Sequence, residues 1–285
     1  GRCRRWSDPW LELTGRARLD AAALAEKYVK AAGNFSLKGV LSGPFTLSGA
    51  WDRPADWDFK MDASGTPLYV NKIFLVENFE MQIRMKNRRF DVPYLHADAY
   101  GGKLGSKLRI DLTRPKPHFE SELYLNNLDL AKVGPDLMPP KTELKGALIG
   151  KLSLEGTFGE QSSYRGDGAL SVMNGMLWQT AQFHEMGKLP LVRVEGLDWV
   201  TFEELSATFR VRDRKVLTDD LTLLGDSVDL SLDGAIGLDG SLDLVMDIQF
   251  SDEVMQGAAI TGGFVPVIVR QAGNFISQYR VGGTL

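Results

Sequence analysis

The chain has 285 residues, with 33 Lys and Arg against 37 Asp and Glu, which gives a formal net charge of −4 at pH 7. Charges of both signs are interspersed, and this argues against a nucleic-acid surface, which needs clustered positive charge. The single cysteine, Cys3, excludes an internal disulfide, and no stretch approaches the ~20 apolar residues of a membrane span. Thirty glycines and twelve prolines suit a turn-rich β protein.

The chain opens abruptly and stops on a strand-like ending, so we expect it to be a segment of a longer protein. Residues 1–33 are predicted to form a lead-in that contains a helix at 19–32 (LDAAALAEKYVKAA). This stretch is rich in alanine and is closed by Gly33 and Asn34, residues that favour a helix C-terminus.

Alternating apolar residues then predict strands through the first half of the chain. The clearest alternations are Trp57, Phe59 and Met61; Phe79, Met81, Ile83 and Met85; Leu104, Leu108, Ile110 and Leu112; and Phe119, Leu123 and Leu125. The segment LDLAKVGPDLMPP is predicted to be a short helix or turn, and the two prolines that end it mark a boundary. We therefore predict a first β segment at 34–140 and a second at 141–285.

The second segment resumes the alternation at Leu148, Leu152 and Leu154, and again at Leu205, Ala207, Phe209 and Val211. Between them Asn174-Gly175 predicts a hairpin turn, and residues 178–188 predict a brief helix.

The most regular stretch follows, where the even positions are apolar and the odd positions are mostly Asp, Ser, Gly and Gln. Its apolar residues are Val228, Leu230, Leu232, Ile236, Leu238, Leu242, Leu244, Met246, Ile248 and Phe250. A period of two places them on one face of a sheet. Asp233-Gly234 and Asp239-Gly240 are predicted turns of an antiparallel meander.

The period changes after Phe250. Apolar residues in 264–278 follow helical spacing with Pro266 near the start, so we favour a terminal helix there over a strand. Residues 279–285 predict a last strand.

About fifteen strands and two or three short helices leave many apolar strand faces to be covered, because monomers rarely expose large apolar patches. The sheet can pack on a second sheet as a sandwich, close into a barrel, or curl into an open groove that a ligand fills. Composition favours the sandwich, which is common. The near-continuous alternation and the Leu, Val and Met lining favour the groove.

The sequence holds no recognisable catalytic or metal-binding motif. His96, His118 and His184 are scattered, and His184-Glu185 does not extend to HExxH because position 188 is lysine. The acidic residues around Asp229 and Asp243 lack the ligand order of a calcium loop. We therefore predict no enzyme activity, no cofactor and no metal.

Several phrases in order resemble the AsmA-like family, the bacterial envelope proteins related to TamB. They are ADAYGGKLGSKLRIDL, FESELYLNNLDLAKVGPDL, GALIGKLSLEGTFGE, YRGDGALSVMNGMLW, FEELSATFRVRDRKVLTDDLTLLGDSVDLSLDGAIGLDGSLDL and YRVGGTL. The resemblance covers residues 90–285 best and includes the family's C-terminal region. The chain lacks the family's N-terminal membrane helix, which we attribute to truncation.

The resemblance implies a mainly β fold, an elongated antiparallel sheet curled into an open taco-like groove with a few short helices. It also implies a periplasmic location, as part of an inner-membrane-anchored protein of a Gram-negative bacterium, and phospholipid transport toward the outer membrane.

The expected partners are phospholipid acyl chains, with inner- or outer-membrane proteins as further candidates and no nucleic acid. The candidate groove-lining residues are Leu148, Leu152, Leu154, Leu205, Phe209, Val211, Val228, Leu230, Leu232, Leu242, Leu244, Met246, Ile248 and Phe250. The same residues suit an ordinary sandwich core. The alternative function is a non-catalytic β scaffold for outer-membrane biogenesis that binds other proteins along its edge strands.

Overall fold

The computed structural model describes residues 2–4, 10–23, 37–53, 56–65, 67–70, 74–137, 144–178, 199–226, 228–250, 269–271 and 274–284. These residues are mainly in β-strands, as predicted. They form two compact units, the first comprising residues 1–126 and 151–165 and the second comprising 127–150 and 166–285.

The described residues contain nineteen strands and one helix, α1. The bounds are β1 (Arg2–Arg4), β2 (Trp10–Asp20), β3 (Leu37–Lys38), β4 (Val40–Ala50), β5 (Asp58–Gly65), β6 (Leu68–Val70), β7 (Phe74–Val76), β8 (Phe79–Lys86), β9 (Arg89–Ala99), β10 (Gly102–Asp111), β11 (His118–Asp129), α1 (Leu130–Leu137), β12 (Leu144–Thr157), β13 (Glu160–Trp178), β14 (Trp199–Arg212), β15 (Lys215–Leu224), β16 (Val228–Gly237), β17 (Ser241–Phe250), β18 (Val269–Gln271) and β19 (Asn274–Thr284).

Each unit is built on a sheet in which hydrogen-bonded neighbours are antiparallel. In the first unit the order is β1-β2-β4-β5-β8-β9-β10-β11, followed by that unit's parts of β12 and β13, and β3, β6 and β7 form a separate small sheet. In the second unit the parts of β12 and β13 are followed by β14-β15-β16-β17-β19-β18. Among the described strands neither order returns to its starting strand, so both sheets are open.

Strands β2 and β11 each end in an aspartate that caps the helical residues that follow. The Asp129 carboxylate accepts a hydrogen bond from the Ala131 N–H at 3.0 Å, at the start of α1, which is the arrangement of a helix N-cap. The Asp20 carboxylate accepts in the same way from the Ala22 N–H at 2.9 Å. The prediction of a helix at 19–32 is therefore wrong at its start, because Leu19 and Asp20 complete β2 and pair with β4. Residues 21–23 are helical, and 24–32 lie outside the described residues.

The predicted terminal helix is also wrong wherever it can be compared with the structure. Residues 269–271 and 274–278 lie in β18 and β19, and β19 pairs with β17 over ten positions. That pairing satisfies the backbone groups of both strands, and the Val-Ile-Val run is β-prone. The remainder of 264–278 is not among the described residues. The predicted strand at 279–285 is confirmed up to Thr284.

Two of the three predicted glycine turns are wrong. Asn174 and Gly175 lie inside β13, where a Cβ on Gly175 would fall 1.9 Å from Cζ of Phe202. Gly234 lies inside β16 with φ near +138°, and its Cβ would fall 2.2 Å from the Asp243 carbonyl oxygen. These glycines allow close approach within the sheet. Gly240, with φ +86°, does belong to the turn between β16 and β17. The prediction of a brief helix at 178–188 is wrong at Trp178, which ends β13, and residues 179–188 lie outside the described residues.

Each unit contains an equivalent block of three strands, β8-β9-β10 in the first and β14-β15-β16 in the second. In both blocks the first turn uses two non-glycine residues with positive φ: Asn87 (49°) and Arg88 (58°), and Asp213 (52°) and Arg214 (61°). In both blocks, the carbonyl of the second turn residue accepts a hydrogen bond from the backbone N–H of the residue that directly follows the third strand. The Leu112 N–H donates to the Arg88 carbonyl at 2.9 Å, and the Leu238 N–H donates to the Arg214 carbonyl at 2.8 Å. The same number of residues separates the partners in both blocks, which indicates a structural repeat.

Candidate functional site

The second unit carries an unbroken row of apolar side chains across its strands. Directly opposed residues in an antiparallel pair point to the same face of the sheet. The second-unit row consists of such neighbours on β13 to β17: Val172, Leu205, Leu223, Leu230 and Ile248. The predicted alternation therefore produces one apolar face here.

The candidate groove-lining residues divide between the two units. Leu152 and Leu154 belong to the first unit. The others belong to the second unit: Leu148, Leu205, Phe209, Val211, Val228, Leu230, Leu232, Leu242, Leu244, Met246, Ile248 and Phe250. In β16 and β17 the pairs are Val228 with Phe250, Leu230 with Ile248 and Leu232 with Met246, so these even positions share a face. Phe250 is described only by its backbone.

The structure brings three of the predicted residues onto one buried cluster. Leu148, Leu205 and Leu230 pack, together with Leu130 of α1, against the buried residues Val172, Phe202 and Leu223. Helix α1 therefore contributes a side chain to the apolar face of the second unit.

The three residues at the centre of this cluster were absent from the sequence-based set. Val172 was hidden by the predicted hairpin at Asn174-Gly175. Phe202 is buried at an even position, whereas Leu205 and Val211 follow odd positions on the same strand. The alternation changes phase between them, so a search for a strict period of two passes over Phe202. Leu223 lies in a run of alternating apolar residues, so it is the one residue of the three that the sequence pattern could have identified.

The first unit has a longer apolar row that sequence analysis did not select. Seven directly paired residues on β2, β4, β5, β8, β9, β10 and β11 form this first-unit row: Leu13, Leu47, Phe59, Met85, Phe90, Ile110 and Phe119. At the β11 end, the ring of Phe119 lies 4.8 Å from that of Phe158 and 5.5 Å from that of Tyr164. At about 4.8 Å per strand, the row spans roughly 29 Å.

Many side chains on these faces stay partly accessible in the interior of a sheet. Leu205, Phe209, Leu230, Leu232 and Leu242 are half-buried, whereas Leu244, Met246 and Ile248 are buried. In the first-unit row Leu47, Phe59, Met85 and Phe90 are half-buried too. The centre of a close-packed sandwich would bury such residues almost completely. The apolar faces therefore combine buried stretches with accessible apolar surface.

Hydroxyl groups on the apolar face of the first unit are satisfied by the sheet itself. Ser106 lies opposite Leu123, and Ser121 lies opposite Leu108. The Ser106 hydroxyl donates to the Glu122 carbonyl, and the Ser121 hydroxyl donates to the Leu154 carbonyl, both at 3.0 Å. These groups present little unsatisfied polarity to a ligand on that face.

The opposite faces are polar and carry ion pairs between neighbouring strands. In the first unit, Arg109 contacts Asp91 at 3.2 Å and Glu120 at 3.0 Å. Lys107 donates to Glu122 at 2.8 Å, and this hydrogen bond is the main cause that lowers the pKa of Glu122. These pairs are largely exposed, so each contributes little to stability. Their main consequence is to keep this face in water.

Asp220 is a carboxylate on the polar face of the second unit that accepts two short hydrogen bonds. Thr208 donates its hydroxyl at 2.6 Å and its backbone N–H at 2.7 Å to Asp220. These two bonds lower the pKa of Asp220 below its ordinary value of 3.8.

We expect the free energy of unfolding to decrease on acidification below about 3.8, the ordinary pKa of Asp220. A carboxylate whose folded pKa is lowered stabilises the fold above its unfolded pKa, and this contribution is lost as the pH falls through the folded pKa. Asp220→Asn should flatten this dependence, as measured by urea midpoints on both sides of that pH. An unchanged slope in the variant would contradict the assignment to Asp220.

Within the described residues, no three His, Cys, Asp or Glu side chains form a group able to hold a metal ion. No helix in the same ranges is long and apolar enough to cross a membrane. The described histidines are far apart along the polar surface: His96 lies in β9 and His118 begins β11. The residues that the structure does bring together are those of the apolar rows.

Comparison of the chain with protein-family models, with curated proteins and with solved structures gives no match in any of the three.

Proposed function

We propose that the chain is a lipid-binding segment of a periplasmic lipid-transport protein of the AsmA-like type. Its apolar sheet faces hold phospholipid acyl chains, and its polar faces meet water. In this proposal each sheet curls about its apolar face into a taco-like groove, and the apolar row of each unit forms the floor of that unit's own groove. The sequence resemblance to the AsmA-like family supports the same function.

The observation that carries the proposal is the partly accessible apolar row in the middle of each sheet. Side chains such as Phe59 and Phe90 in the first unit, and Leu205 and Leu230 in the second, remain half-buried although strands flank them on both sides. A protein core leaves no such surface at its centre, whereas a lipid site needs it. A row that crosses the strands also offers a continuous apolar track to a linear acyl chain.

The energetics suit a site that holds acyl chains without recognising a particular headgroup. Each buried CH₂ contributes about 0.8 kcal/mol, so a chain that lies along several strands is held without any polar contact. The hydroxyls of Ser106 and Ser121 are already bonded to strand carbonyls, and a uniform apolar floor lets the chain move at little net cost. The headgroup then stays in solvent, and no headgroup selectivity is expected.

Native mass spectrometry of the chain purified gently from bacteria, with lipid extraction in parallel, tests the proposal. We expect reproducible co-purified phospholipid of mixed headgroups. A clean protein mass with no lipid, together with a cooperative thermal transition, would overturn the proposal for this chain.

A second candidate function, strand addition to a partner protein, rests on the edge of β2. Strand β1 pairs only with Trp10, Leu11 and Glu12 of β2. Along residues 13–20 the outer edge of β2 pairs with no strand that the structure describes. Unpaired edge groups are a template for another strand. A lipid-free, stably folded chain would favour this scaffold function.

A further inference from the structure

The polar face of the first unit has a gap at Gly105. This residue of β10 lies directly opposite His96 of β9 and Tyr124 of β11, so the three share one face. With strands about 4.8 Å apart, the Cα atoms of His96 and Tyr124 are roughly 10 Å apart. A Cβ on Gly105 would approach no atom closer than 3.7 Å, so packing does not require glycine here. The absent side chain leaves an open depression of about 300 Å³.

Aromatic side chains in fixed positions form the walls of this depression. The ring of His96 stacks against that of Tyr94, with centroids 5.5 Å apart and an angle of 30° between the planes. The Tyr124 hydroxyl donates to Glu122 at 2.9 Å, which fixes the opposite wall. Tyr94 and Tyr124 are 37% and 47% exposed. Neither ring is needed to fill the core. Tyr124 lines the depression together with His96 and offers a ring face to a ligand at low entropic cost.

The charges around the depression oppose a charged ligand of either sign. Lys103 lines it, and its ammonium pairs with Asp98, which disfavours a cation. The carboxylates of Asp98 and Glu122 bond to Lys103 and Tyr124, two of the lining residues, and so lie near the rim, which disfavours an anion. Asn126 also lines the depression, and an asparagine amide can both donate and accept hydrogen bonds. A neutral group with hydroxyls fits this rim.

We propose that the depression binds one pyranose ring of a neutral glycan. The C–H face of the sugar packs on Tyr124 and His96, and its hydroxyls bond to Asn126 and to the spare acceptor sites of the paired carboxylates. The size agrees, because ligand pockets begin at about 300 Å³, which suits a single ring. The site lies on the polar face, so it is independent of acyl-chain binding and goes beyond that function.

Saturation-transfer NMR on the full chain, with chitotriose and maltotriose as probes, tests the proposal. We expect transfer to the ring protons of at least one sugar. Gly105→Leu fills the gap and should weaken binding by blocking it. Tyr124→Ala removes a wall and should weaken binding up to about tenfold, since an aromatic contact of about 1.5 kcal/mol corresponds to such a factor. Tyr69→Ala removes an equally exposed tyrosine, 41% accessible, from the small sheet and should leave binding unchanged.

Three results would overturn the proposal. They are no transfer to either sugar, equal transfer in Gly105→Leu or Tyr124→Ala and the parent chain, and transfer only to choline or acetate, which are measured in parallel as charged probes with C–H protons. If Gly105→Leu does not fold, Tyr124→Ala alone decides the outcome. Loss of lipid binding without loss of sugar binding would contradict only the acyl-chain function.

Discussion

Leu244→Asp is expected to remove co-purified phospholipid from the chain, with at least a tenfold fall in lipid per protein. Leu244 is buried in β17 on the apolar face, opposite Gly234. An ionised carboxylate there would have to be buried unpaired beside the acyl chain, at a cost of several kcal/mol, and each 1.4 kcal/mol is a factor of ten in affinity. Native mass spectrometry with lipid extraction measures the change.

Val245→Asp is the matched control. Val245 is the next residue of the same strand, and it points to the polar face, between Asp233 and Arg280. A carboxylate there stays in water with Arg280 beside it, so lipid content should match that of the parent chain. Because Leu244 is buried, its substitution also tests for a packed core. The half-buried Leu242→Asp near the β16–β17 turn is a milder second variant. Unfolding of Leu244→Asp would indicate a packed core at that position, and full lipid retention in a folded Leu242→Asp would contradict acyl-chain contact at Leu242.

The sequence pattern was sufficient to assign residues to a face of the sheet where a strand keeps a strict period of two. The alternation from Val228 to Phe250 correctly placed the even residues of β16 and β17 on one face. The pattern failed to distinguish helix from strand where the same apolar residues fit both the helical period and the strand period. Val269 and Ile276 fit helical spacing, but Ile276 pairs with Gln249 of β17 and Val269 pairs with Ile276 of β19, so both lie in strands. That pairing is a long-range interaction, which local spacing does not record.

The glycines show a second limit of sequence analysis. Asn174-Gly175 and Asp233-Gly234 have the residues of a tight turn, but in the structure Gly175 makes room for Phe202 and Gly234 approaches Asp243. A short motif cannot distinguish a turn from a close approach within a strand, because glycine serves both. The repeat of β8-β9-β10 in β14-β15-β16 was hidden for a related reason. Backbone geometry at Arg88 and Arg214 is shared, while most flanking residues differ.

Gly43→Ala is expected to lower the free energy of unfolding by about 3 kcal/mol, the upper end of what overpacking costs. Gly43 lies in β4 on the apolar face, opposite Ala17. A Cβ there would fall 1.9 Å from the carbonyl oxygen of Asp62 in β5. This is a backbone atom, so the strands must move apart instead of a side chain rotating. Guanidinium unfolding measures the effect as a lower midpoint at unchanged slope.

Gly105→Ala is the control, because it makes the same chemical change in a strand of the same unit. Its nearest contact is 3.7 Å from the new Cβ, so we expect no loss and a gain of up to about 1 kcal/mol from the reduced entropy of the unfolded chain. If both variants were equally stable, strand β5 would not press against Gly43. Glycine in a strand marks a tight bend or a close approach of backbones, and a large and selective loss in Gly43→Ala would confirm the close approach of β4 and β5 on the apolar face. Close approach on the inner side is what a sheet curled around its apolar face requires, and its absence would weigh against a groove in the first unit.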